Sequence, residues 1–325
     1  MNNVRWGIIG CGDVTEVKSG PGFQKADGSS LGAVMRRDRA KAEDYARRHG
    51  VPRVHATAEA LIADPEIDAV YIATPPDTHE PLARMVAAAG KPCLIEKPMA
   101  RTHDECQAMV GAFRTAGVPL WVAYYRRALP RFLQVRDLLA AQAIGRVTSV
   151  HVQVTDQLAT SAEAKNWRFD PAVAGAGLFL DLASHCLDLL DFLVGPITEA
   201  HGFAFNTGGI YAAEDVTSAA YRFTTQVAGT GIWNFHAGAK TDAITLTGSE
   251  GTLVTPVFTD GDVVLSLGSE VKTFPIRNPP HVHQPLIQTI VDELRGKGRC
   301  PSTGESAART SWVLDRCIEG FYQRR

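Results

Sequence analysis

The chain has 325 residues, 45% of them apolar, with 33 basic against 35 acidic side chains and a net charge of -2. That length favours two domains, and that charge balance excludes an electrostatic case for nucleic acid or an anionic membrane. Six cysteines occur and no two have CxxC spacing, so they are expected as reduced, packed thiols of a cytoplasmic protein.

The first apolar run, Val4 to Ile9, is too short for a signal h-region and leads straight into Gly10-Cys11-Gly12. No apolar stretch approaches the roughly 20 residues that span a bilayer. Apolar runs recur near residues 31–35, 69–73, 93–96 and 120–124. Helical patterns lie between them, near 38–49, 57–63, 78–89 and 102–116. Thr102-x-x-Glu105 is a capping box for the last of these. This alternation predicts an α/β domain over residues 1–123, a doubly wound parallel sheet with helices on both faces.

Gly10-x-Gly12 sits where a dinucleotide fold needs a tight turn and close approach of a pyrophosphate, with Asp13 and Val14 opening the next helix. Thr15 stands at the third glycine position, and Ser19-Gly20-Pro21-Gly22 is expected to cut that helix short. The second run ends in Arg36-Arg37, where NAD enzymes usually place an acid. A guanidinium fork suits a 2′-phosphate, so NADP(H) is the expected cofactor, with NAD(H) as the alternative. Asp38 is read as an N-cap. Thr74-Pro75-Pro76 makes a rigid turn at the sheet's ligand edge. His79 is either a cofactor contact or a surface histidine in a helix's first turn. Glu96-Lys97-Pro98 follows the run at 93–96, and a lysine there is costly unless it has a partner or a task.

After residue 123 the pattern changes. A helix near 130–142 is followed by alternating strands near 146–156, 197–205, 215–224, 228–235, 243–247 and 252–257, read as an antiparallel meander. Helices near 285–296 and 305–320 close this second domain, residues 124–325. An open sheet of that breadth wants covering, which predicts a homodimer or homotetramer. Within the helix at 178–194, Asp181, Ser184, His185, Asp188 and Asp191 share a stripe about 120° wide on an otherwise apolar circumference. Without Lys, Arg or Glu, that stripe suits a cleft better than a solvated face. Trp167-Arg168, in the loop ahead, either lines a pocket or anchors the loop. His281-x-His283 is flanked by prolines and is read as a loop, and no metal site is expected. His236 is read as structural.

Taken together, Gly7-Ile-Ile-Gly-Cys-Gly12, Ala73-Thr-Pro-Pro76 with His79, Glu96-Lys97-Pro98, and Gly175-Ala-Gly177 with Asp181-x-x-x-His185 resemble the glucose-fructose oxidoreductase, inositol dehydrogenase and MocA family of NAD(P)-dependent oxidoreductases. The resemblance covers essentially the whole chain. It departs at Gly175-Ala-Gly177, where the family usually carries three glycines. It implies a Rossmann domain followed by an α+β domain with a large, mostly antiparallel, open sheet. It implies Lys97 as the active-site lysine, with Asp181 and His185 facing the substrate. Expected cofactor contacts are Gly10, Gly12, Asp13, Val14, Arg36, Arg37, Thr74, Pro75, His79, Glu96 and Lys97. Tyr125, Arg126, Trp167 and Arg168 are expected against the substrate, a polyhydroxylated small molecule. A diol or amino-type substrate, or a non-catalytic NADP-sensing regulator, are the alternatives.

Overall fold

Six parallel strands form the first sheet: β1 (Val4–Ile9), β2 (Ser29–Met35), β3 (Arg53–His55), β4 (Ala69–Ile72), β5 (Cys93–Ile95) and β6 (Leu120–Val122), in the order β3-β2-β1-β4-β5-β6. The computed structural model describes residues 3–157, 159–160 and 163–322. Strands β1, β4 and β5 are buried almost throughout, as strands covered on both faces must be. That is why they read as apolar runs. The three-residue β3 carries Arg53 and His55, lacks such a run, and is absent from the sequence reading.

The expected helices are present as Arg39–His49, Ala58–Ile62, His79–Ala88 and His103–Ala116. Thr102 caps the last, accepting from the Glu105 amide at 3.3 Å. Glu105 reaches back to the Arg101 amide, one residue earlier than a capping box requires. After Gly12 the helix Asp13–Val17 ends where expected, but the glycine- and proline-containing segment that follows is itself helical, Ser19–Lys25.

The second sheet has eight strands: β7 (Val147–Thr155), β8 (Ile197–Phe205), β9 (Val216–Phe223), β10 (Ala228–Asn234), β11 (Thr241–Gly248), β12 (Thr252–Thr255), β13 (Val263–Leu267) and β14 (Glu270–Phe274). Their order is β14-β13-β12-β11-β7-β10-β9-β8. It is no pure meander, because β7 and β10 pair in parallel. The hairpin of β13 and β14 also escaped the sequence reading. Its last strand is almost wholly exposed and has no buried face to leave an alternation.

The chain divides into two units, and the division differs from the expected one. The first comprises Met1–Leu129 and Pro279–Ala308, the second Pro130–Asn278 and Arg309–Arg325. Residues 279–308 return to the first sheet: Trp121 bridges Thr303, and Ser302 Oγ donates to the Val122 carbonyl at 2.6 Å. Hydropathy marks the helix Gln284–Leu294 but not which sheet it covers.

In the second unit the helical run Pro171–Leu193 has the length and composition to cross a membrane, against the sequence reading. Of its apolar 18-residue window 72% is buried within the protein, as in a core helix.

Candidate functional site

In the first unit the parallel sheet places the ends of β1, β2, β4 and β5 along one edge. Gly10 adopts φ +91°, and a Cβ there would lie 2.7 Å from Thr74 Cγ2, so the turn needs glycine. Gly12 differs: a Cβ would meet nothing nearer than the Gly10 carbonyl oxygen, at 3.9 Å. No protein atom demands that glycine, so it leaves room for an approaching group, which fits a pyrophosphate. Thr15 substitutes for the third glycine by turning inward, its hydroxyl donating to the Gly12 carbonyl at 2.7 Å. Asp13 is exposed and Val14 half-buried at the start of the helix. Burial pushes the Cys11 thiol up to about 11, which keeps it protonated.

Arg36 Nη1 donates to the Cys11 carbonyl at 3.0 Å, so the guanidinium lies beside the glycine loop. Arg37 is exposed. Asp38, two residues beyond Arg36, caps Arg39–His49 by accepting from the Lys41 amide at 3.2 Å.

Thr74 Oγ1 accepts from Thr78 Oγ1 at 2.7 Å, and Pro75 is extended with φ -63° and ψ 153°. His79 is fully buried, with Nε2 2.8 Å from the Thr74 carbonyl oxygen and Nδ1 3.1 Å from that of Met99. It braces the turn from beneath and is neither the cofactor contact nor the surface residue expected. Glu96, also expected against the cofactor, turns inward too. One carboxylate oxygen accepts from the Tyr71 hydroxyl and the other from the Lys97 amide at 3.2 Å. Desolvation raises its pKa above the usual carboxylate range.

Lys97 is half-buried, and its peptide bond to Pro98 is cis. Tyr125 and Arg126 begin a short 3-10 turn, Tyr125–Ala128, with the Arg126 guanidinium 4.9 Å from the Tyr125 ring centre. Tyr125 stacks on His283 at 4.4 Å and 30°. His283 lies in a loop, as the flanking prolines predict, but it is 2% exposed and its Nδ1 lies 3.7 Å from Glu96. Burial, with Lys18, Arg126 and Lys97 around it, lowers it to about 3, so the ring is neutral. His281 instead meets Lys25 and the Val17 carbonyl.

In the second unit Asp181 sits in a π-helical turn, Phe179–Ala183, directly ahead of the helix Ser184–Leu193. Such turns recur at functional sites. Arg168 Nε lies 3.6 Å from Asp181 Oδ2, and its guanidinium covers the Trp167 ring at 4.4 Å. The expected polar stripe is withdrawn from water: Ser184, His185, Asp188 and Asp191 are all buried. Asp191 receives both branches of Arg309, each at 2.8 Å.

His185 meets the edge of Phe258 at 6.1 Å. Phe258 was not expected there. Asp242 holds it, accepting from the Val257, Phe258 and Thr259 amides at 2.7–2.8 Å. No local pattern announces such a turn, because acceptor and loop are 15 or more residues apart in the chain. His236 Nδ1 lies 2.8 Å from Thr207 Oγ1, in keeping with the structural role expected of it.

The family model for an oxidoreductase family with an NAD-binding Rossmann fold matches residues 4–124, and the model for the C-terminal domain of the same family matches 132–254. Oxidoreductase P35 of Formosa agariphila is 37% identical over 97% of this chain and 98% of its own length. The 1,5-anhydro-D-fructose reductase of Ensifer adhaerens is 28% identical over 95% of this chain and 93% of its own. Among solved structures, a levoglucosan dehydrogenase in complex with NADH and levoglucosan superposes with a TM-score of 0.87 at 22% identity, covering 99% of this chain and 98% of that one.

Proposed function

The chain belongs to the glucose-fructose oxidoreductase, inositol dehydrogenase and MocA family and is an NAD(P)-dependent oxidoreductase; on that premise we propose that it handles a sugar-like, polyhydroxylated molecule with NADP(H). The observation that carries the reading is the shared sheet edge, where the Gly10–Gly12 turn, Arg36, Thr74-Pro75 and Lys97 end successive parallel strands. The names of relatives, an anhydrofructose reductase and a levoglucosan dehydrogenase, support the substrate class.

The nicotinamide, when bound, supplies or accepts the hydride. The protein orients the reacting carbon and manages one proton. Lys97 hydrogen-bonds the reacting oxygen and steadies developing alkoxide charge. His185 takes or returns the proton at that oxygen. Asp181 binds a substrate hydroxyl or fixes the orientation of the histidine. Tyr125, Arg126, Trp167 and Arg168 are assigned to the substrate. Gly10, Gly12, Asp13, Val14, Thr74 and Pro75 are assigned to the cofactor. Arg36 and Arg37 are assigned to the 2′-phosphate. Arg36 stands beside the loop, and Asp38 is engaged as a helix cap, which together favour a phosphorylated ribose.

A panel of sugars, inositols, levoglucosan and 1,5-anhydro-D-fructose, run with all four cofactor forms, tests this reading. We expect turnover on at least one member and tighter binding of NADPH than NADH; the reverse order refutes the arginine argument. Lys97→Ala should keep NADPH binding nearly intact and cost roughly a thousandfold or more in kcat. Near-normal turnover by that variant sinks the assignment.

We also propose a cytoplasmic homodimer or homotetramer assembled through the eight-stranded sheet. Phe203 and Phe205 on the edge strand β8 are 71% and 54% exposed, and Val271 on the other edge strand is 66% exposed, which supports a covered sheet. Sedimentation equilibrium at micromolar protein should give two or four chains. A monomer would refute assembly.

A further inference from the structure

We infer that Glu96 is a positioning residue for Lys97, and that Tyr71 and His283 complete the brace; this rests on the reading of Lys97 as the active-site lysine. Glu96 is fastened twice to β4, the neighbouring strand. Its amide donates to the Ile72 carbonyl at 2.8 Å, and its carboxylate accepts from the Tyr71 hydroxyl. The other carboxylate oxygen accepts the Lys97 amide at 3.2 Å. The residue preceding the lysine thus ties the lysine's own backbone to a phenol that is itself immobile. Tyr71 is fully buried, and its ring packs on Phe23 at 5.1 Å, which packs on Trp6 at 4.8 Å.

The carboxylate also faces His283, whose Nδ1 is 3.7 Å from Glu96 Oε1. His283 stacks on Tyr125, and Arg126 covers the other partner ring. The His283 ring, packed between Glu96 and Tyr125 without a hydrogen bond from its Nδ1, therefore links by contact the strand end that carries Lys97 to the turn that carries Tyr125 and Arg126. All of these residues lie within the first unit.

Stability does not account for this arrangement. A carboxylate that is 8% exposed and held by a phenol and an amide is costly to desolvate, and an uncharged residue of similar shape would serve packing as well. What the carboxylate adds is a fixed backbone for Lys97 and a negative charge facing Lys97 and Lys18.

Two near-isosteric variants test the brace, with kcat measured on the panel member turned over fastest. Glu96→Gln keeps the shape and removes the charge. Tyr71→Phe keeps the ring and removes the donor. For both we expect kcat to fall about tenfold to a hundredfold, the loss that a misplaced catalytic group brings. NADPH affinity should stay within about twofold of the parent, and the melting temperature of Glu96→Gln should not drop. Glu96→Ala should in addition speed amide exchange in the peptide 93–99, a readout that needs no substrate. A purely structural brace would show the opposite split, with a lower melting temperature and unchanged kcat. If Glu96→Gln and Tyr71→Phe both retain kcat within twofold while Lys97→Ala is inactive, the positioning role is overturned and the lysine assignment stands. If Lys97→Ala is itself active, the underlying reading has failed instead.

Discussion

Glu96 in the first unit and Asp191 in the second are both carboxylates that the fold removes from water, and they are held in opposite ways. Asp191 receives the fork of Arg309, two bonds of 2.8 Å in the bidentate geometry that stabilises a buried anion best. Glu96 receives a phenol and a backbone amide, with lysines near but, among the described residues, no guanidinium fork. The first arrangement is how a protein holds a buried charge for stability. The second leaves the charge under-compensated, and it occurs next to Lys97. The contrast separates a structural anion from one that serves the site.

That contrast makes a stability prediction that is asymmetric within the Arg309–Asp191 pair. Arg309→Ala takes the fork away from a carboxylate that is 6% exposed, whereas Asp191→Ala leaves an arginine that is 44% exposed and can rehydrate. Removing one partner of a buried pair costs about 3 kcal/mol or more, and a half-exposed partner brings the cost down to about 1–2 kcal/mol. Urea unfolding should therefore rank Arg309→Ala as the more destabilised variant by about 1 kcal/mol or more. Equal losses would mean that the fork does not set the cost, and the comparison with Glu96 would lose its basis.

Why was so much of this legible, and why was the brace not? Strands buried on both faces, or on one, imprint runs or alternations on the sequence, and β8 was read to the residue. Caps are equally local, as Asp38 and Thr102 show. The glycine loop, Arg36 and Lys97 sit at strand ends, which a parallel sheet brings to one edge by construction. The brace is different. Tyr71, Glu96 and His283 belong to segments far apart in the chain, and no periodicity connects them. The burial of His283 is hidden for the same reason: prolines on either side announce the loop that is found there, but not that the loop is buried. Asp191 was seen as polar on a buried helix, yet its partner lies 118 residues away.

The smallest effect expected is a change in the pH dependence of stability, and it probes the same brace. Burial holds His283 at about 3, whereas an unfolded histidine titrates near 6.5. Between these values the unfolded chain binds a proton that the folded chain refuses. Stability from this group is therefore present above about pH 6.5 and is lost as pH falls towards 3, by about 1.4 kcal/mol per pH unit at most. Glu96 acts in the opposite sense. Its folded pKa is raised, so between the ordinary carboxylate value and the folded one the native state holds the extra proton. Its contribution is present at low pH and lost as pH rises through that window. The charges facing these two groups are Lys18, Lys97 and Arg126, and the neutral rings are Tyr71 and Tyr125. From about pH 4.5 upward the two slopes oppose each other in the parent. Glu96→Gln removes one of them, so its stability relative to the parent should fall more steeply as pH drops towards the ordinary carboxylate value. His283→Phe should do the reverse and flatten the acid limb. Urea titrations at half-unit pH steps on the parent and both variants resolve the two slopes. Parallel curves for all three proteins would show that neither group changes its protonation on folding, and the buried network would then have to be held by packing alone.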